Sequence, residues 1–310
     1  MWRYVGKRLL QVVPTTFGIL VLTFVLFNVV GGSPAETILG KNATAEAIAA
    51  FNRLHGFDKP LLFALDSQFI TFVSNLLKGE LGYSVELKEP VTSVLLRGVG
   101  PSLSLTVPIL VGGTLLALML ALLSAAWRGR WVDKSILLVS TVLMSVNYVV
   151  WVLAGQFFLA YKAGLFPIWG YESAAYLALP VLIGIVSSLG VDVRFFRTAL
   201  LDEIYKPYIL TARSRGRSAA YILVFHVLRN ALIPIVTYVS LSIPYLFSGS
   251  LLLESFFGIP GLGSVAINAI HSSDMAVVRG VVVMSALVYQ FVNLLTDLAY
   301  AALDPRVRLK

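Results

Sequence analysis

Four arginines, Arg213, Arg215, Arg217 and Arg229, fall between positions 213 and 229 of a 310-residue chain, in the stretch ILTARSRGRSAAYILVFHVLRNALIP. Clustered guanidinium groups can pair with carboxylates or phosphates, so this segment is the first candidate for recognition chemistry. Other reactive residue types are scattered. His55, His226 and His271 are too far apart for an H-E-x-x-H zinc site, and satisfied or solvated imidazoles account for them. The sequence has no G-x-x-x-x-G-K-S/T loop for nucleotide phosphates and no G-x-S-x-G elbow for a serine nucleophile. FGIPGLG lacks the lysine of a phosphate loop, so any ATP must be bound by another subunit. With no cysteine, thiol chemistry, disulfides and cysteine-ligated metals are excluded.

The elements that must position these residues are set by composition. The chain is 58% hydrophobic and 13% charged, with a mean hydropathy of +0.85. Soluble domains carry about a quarter charged residues, so this is an integral membrane protein. A helix needs roughly 20 apolar residues to cross the hydrocarbon core. Six stretches qualify, at about 9–30, 102–126, 135–160, 173–193, 231–253 and 281–303. The band at 61–77 is interrupted by Asp66, Ser67 and Gln68, and is expected to lie on the membrane surface as an amphipathic helix. The first span is read as a retained helix: its apolar run is longer than that of a secretory signal and no small-residue cleavage site follows it.

Lysines and arginines in short loops stay cytoplasmic. With the N-terminus inside, cytoplasmic segments hold 16 of the 24 basic residues, seven of them from Arg194 to Arg229. Six of the outer eight lie in the long loop 31–100, where seven acids oppose them. Both termini are therefore expected in the cytoplasm. Topology accounts for the net charge of +8, and no basic patch interleaved with aromatics points to nucleic acid. Asp192, Glu254 and Asp297 all fall near the ends of the expected spans. Asn293 and Asp297, four apart, share a helix face suited to bonding a neighbouring helix rather than to ion coupling.

Within the basic loop, Pro207 suits a first helical turn, Gly216 a left-handed helix end, and Ser218 the cap of a second helix running towards Pro234. Ala212 and Gly216, four apart, leave a low face, and Arg213 and Arg217 project together from another. This pattern suits a knob that docks in a protein groove, and equally a basic loop that only holds topology.

The pattern T-A-R-x-R/K-G, followed thirteen residues after the glycine by RNALIP, resembles the cytoplasmic EAA loop of permeases in binding-protein-dependent ABC importers. The likeness is to B-type subunits of the peptide and nickel permease family. MWRYVGKRLLQVVP resembles that family's N-terminus, and VVGGSP stands at its turn after the first helix. HGFDKPL and LLKGELGYS resemble its first outer loop, RGRWVDKS its loop between the second and third helices, LLLESFFGIPGLG its E-x-x-F-x-x-P-G-L-G and LDPRVR its ending. Lys206 and Pro207 replace an acidic pair common in the family, which suggests a matched change in the partner ATPase.

The resemblance implies an all-α type I ABC importer permease fold in the inner (cytoplasmic) membrane. It divides the chain into a head and first helix at 1–30, an outer loop at 31–100, a five-helix core at 101–305 holding the coupling loop at about 199–230, and a tail at 306–310. Thr211, Ala212, Arg213, Arg215, Gly216 and Arg217 would couple to the ATPase. Glu254, Pro260, Gly261 and Gly263 would form an outer gate or re-entrant turn, for which an ordinary surface turn is the alternative. Asn293 and Asp297 would bond between helices. The implied partners are a second, C-type permease subunit, two ATP-binding subunits that carry ATP and Mg, an extracytoplasmic binding protein and the bilayer, with no cofactor on this chain. The implied cargo is peptide, with nickel chelates or oligosaccharides as the same-machine alternative. An ion-driven transporter and an intramembrane enzyme are the readings from other classes.

Overall fold

The computed structural model describes residues 2–30, 35, 39, 43–61, 64, 66–84, 86–243, 246 and 250–303. The VVGGSP turn from Gly31 onward and the LDPRVR ending from Asp304 onward lie outside the described residues.

The helices, in chain order, are α1 (Trp2–Val25, continued by a π-helical turn, Leu26–Val30), α2 (Ala45–His55), α3 (Gln68–Leu77), α4 (Val91–Ala126), α5 (Trp131–Ser145), α6 (Tyr148–Ala154, continued as a π-helix, Gly155–Lys162), α7 (Ala175–Ile204), α8 (Pro207–Ser214), α9 (Ala219–Tyr221, continued by a π-helix, Ile222–Leu228), α10 (Arg229–Ser240), α11 (Leu251–Phe257), α12 (Leu262–His271) and α13 (Met275–Leu303). One short antiparallel hairpin pairs β1 (Tyr83–Ser84) with β2 (Glu89–Pro90).

Among the described residues, five helices are long and apolar enough to cross a bilayer. Two bent pairs, α5 with α6 and α11 with α12, raise the number to seven if each counts as one span. Several expected ends move. The second span starts at Val91 rather than at residue 102, with Pro101 inside the helix. The third is broken by a 92° bend, where the Asn147 side chain accepts a hydrogen bond from the Val149 N–H (2.9 Å) and so starts a new helix. The fifth, expected over 231–253, instead runs from Ala219 to Ser240, and Leu251 opens a separate helix. A continuous apolar run has no polar beat to mark such breaks, whereas the Ser218 cap fixes the true start.

The chain packs as two units, residues 1–100 with 261–310, and residues 101–260. In the first unit α1 packs along α13, and Phe24 is buried against Phe69 and Phe72. The Thr44 and Ser67 hydroxyls cap α2 and α3. Buried Asp274 holds the hairpin by accepting from the Ser84 hydroxyl (2.5 Å) and the Glu86 N–H (3.4 Å).

In the second unit α5, α6, α10 and α11 all pack against α7. A Cβ at Gly190 would lie 2.5 Å from the Ser140 carbonyl, so only glycine lets α7 approach the α5 backbone there. One cluster joins Ala117, Ala121, Phe196, Leu200, Ile209 and Ile235, and a second joins Leu105, Val152, Leu179, Ile183, Leu253 and Phe257.

Candidate functional site

The basic loop folds as two short helices around a glycine. Pro207 opens α8, Gly216 takes φ +74°, and the Ser218 hydroxyl accepts from the Tyr221 N–H (3.3 Å). Thr211, Arg213, Arg215, Gly216 and Arg217 are exposed, and the Arg217 guanidinium lies 4.9 Å from the Tyr221 ring centroid. Ala212 is different. It is 9% exposed and packs with Ile209 in the unit's own core, so its small side chain seats α8 on the bundle and does not form an outer face with Gly216.

Three polar groups latch α8 to its neighbours. The Tyr208 hydroxyl donates to the buried Glu203 carboxylate (2.5 Å), and the Asn230 amide donates to the Tyr208 oxygen (3.0 Å). Burial and the adjacent Glu203 push the Tyr208 hydroxyl up to about 12, so it stays a donor. The charge at Lys206 is met within this chain by Glu203. Further along α7, Arg197 donates through Nε (2.8 Å) and Nη2 (2.9 Å) to both oxygens of Asp133 on α5. The Ser124 hydroxyl of α4 also bonds this carboxylate, so three helices are tied at one point.

Around the expected turn, Glu254 is fully buried and accepts from the Ser102 hydroxyl (2.8 Å) and the Ser250 N–H (3.0 Å). Gly258 closes α11 with φ +67°, and a Cβ there would lie 2.2 Å from the Trp169 ring. Sequence reasoning missed Gly258 because neither its φ nor Trp169 is legible locally. Pro260 is exposed. In the first unit, Gly261 is the extended N-cap of α12, and Gly263 is buried in its first turn. Asn293 is half-buried on α13; the Asp297 side chain lies outside the described residues.

The second unit also holds a cavity of about 370 Å³. Gly184, Ser188 and Asp192 reach it from one face of α7 at intervals of four, as do Thr106, Leu110 and Thr114 from α4. Tyr238 of α10 lines it as well, and its hydroxyl donates to Asp192 (2.9 Å). Tyr148 and Ser250 are hydrogen-bonded at another part of the wall (3.2 Å). Asp192 was expected near a helix end; α7 continues to Ile204, so it lies well inside the helix. The four-residue spacing of small and hydroxyl residues on α7 was the available signal.

Residues 98–309 match the family described as binding-protein-dependent transport system inner membrane component, and residues 1–106 match its N-terminal companion. The chain belongs to this permease family. The permease is 32% identical over 311 residues to the glutathione transport system permease protein GsiC of Escherichia coli O6:H1, with both chains covered in full. It is 31% identical over 313 residues to GsiC of Shigella flexneri serotype 5b, again with full coverage of both chains. It is thus a multi-pass inner-membrane permease of an ABC importer, a transport subunit rather than an enzyme.

Proposed function

We propose that this permease forms half of a pathway for short peptides, delivered by an extracytoplasmic binding protein and driven by two ATP-binding subunits that hold ATP and Mg. A second permease chain, of the related C type, supplies the other half. The observation that carries the reading is the latched α8. A short helix bound to α7 and α10 through Glu203, Tyr208 and Asn230 moves with them as a lever, while Arg213, Arg215 and Arg217 remain exposed for a partner's acids. Peptide cargo is supported by full-length similarity to glutathione permeases, whose cargo is a tripeptide.

The charge distribution asks for an even number of spans. That holds if the bent pair α5 and α6 crosses once and Glu254, Pro260, Gly261 and Gly263 belong to a re-entrant turn on the outer side. Asn293 and Asp297 then serve helix bonding on α13.

The test is uptake of a labelled tripeptide by proteoliposomes holding the permease, its second permease chain and the ATPases. Uptake should require both ATP and the binding protein. Uptake that persists without ATP on an ion gradient would reject the reading.

A further inference from the structure

The cavity in the second unit has an unusual charge inventory. Of its described lining residues, Asp192 is the only one with a carboxyl group, and none is basic. The remaining polar lining is hydroxyl, from Thr106, Thr114, Ser187, Ser188, Ser242 and Ser250, together with the two tyrosines. An ionisable group within a membrane-spanning helix is costly and faces the interior or a water-filled cavity where it has a task. A carboxylate offers about four acceptor sites, and Tyr238 donates to one oxygen of Asp192.

We propose that Asp192, oriented by Tyr238, receives the ammonium group of the cargo as it passes through this cavity. The inference rests on the peptide reading above and adds which end of the cargo the permease senses. A protonated amino terminus supplies the charge that offsets the carboxylate, and the surrounding hydroxyls stand in for its lost hydration. A single carboxylate among hydroxyls is a poor site for a divalent ion, which takes several oxygen ligands, commonly with more than one carboxylate. A cargo whose only charges are negative would meet repulsion from Asp192, whatever its size.

The whole importer in proteoliposomes provides the test. ATP-driven uptake is compared for a tripeptide with a free amino terminus and for its N-acetylated form, in the wild type and in Asp192→Asn, Asp192→Glu and Tyr238→Phe. Asp192→Asn should slow the free-amine peptide at least tenfold and Tyr238→Phe about threefold. Asp192→Glu, which keeps the charge, should recover much of the rate. Uptake of the acetylated form, which is an anion, should fall in none of the variants and should be unchanged or faster in Asp192→Asn, with ATP hydrolysis maintained. Equal slowing of both peptides by Asp192→Asn, or no slowing of either, would overturn the proposal. If the wild type hydrolyses ATP but moves neither peptide, the peptide reading itself fails and takes this inference with it.

Discussion

Gly216 and Gly258 both hold left-handed φ, yet they answer to different constraints. A Cβ on Gly216 would meet nothing within 4 Å, whereas one on Gly258 would overlap the Trp169 indole. Gly258→Ala should therefore destabilise the protein through both strain and overlap, by about 1 to 3 kcal/mol, seen as a lower thermal midpoint in detergent. Gly216→Asn should be nearly silent in that assay, because asparagine tolerates the left-handed region. If a bare backbone at 216 is needed at the ATPase surface, the same Gly216→Asn protein should nonetheless lose ATPase on co-purification. A large aromatic at 216 is a poorer probe, since strain and steric exclusion would act together.

At the scale of elements, the ties on α7 govern how the coupling loop is held. Replacing Arg197 by Met would leave the Asp133 carboxylate, 4% exposed, without its bidentate partner. A cost of about 3 to 5 kcal/mol is expected, and Asp133→Leu added to Arg197→Met should return part of it; thermal unfolding of the pair of variants checks this. Tyr208→Phe should cost only about 1 to 2 kcal/mol but loosen α8, so that ATP hydrolysis continues while uptake falls. A variant whose hydrolysis and uptake fall in proportion would deny α8 the lever role. The helices of this loop were legible because Pro207, Gly216 and Ser218 act locally on the backbone. The role of Ala212 was not, since a small residue on a short helix fits a partner's groove and the chain's own core equally well. The fifth span was misplaced because turns within an apolar run leave no periodic trace, and the cavity was invisible because its wall is assembled from several helices distant in sequence.

For the whole molecule, the distribution of lysine and arginine makes a prediction that the absence of cysteine allows to be tested without background. Ser173, just before α7, and Ser214, at the end of α8, are both exposed. The charge rule places Ser173 outside and Ser214 in the cytoplasm, separated by one crossing of α7. Ser173→Cys should react with a membrane-impermeant thiol reagent applied to intact spheroplasts, and Ser214→Cys should react only in inverted vesicles. Because α8 carries the arginines and the latch, its side of the membrane decides whether any cytoplasmic ATPase can reach it. Labelling of Ser214→Cys from outside would reverse the topology and leave α8 no route to an ATPase. Labelling confined to inverted vesicles would put the exposed Arg213, Arg215 and Arg217 on the face where ATP is available.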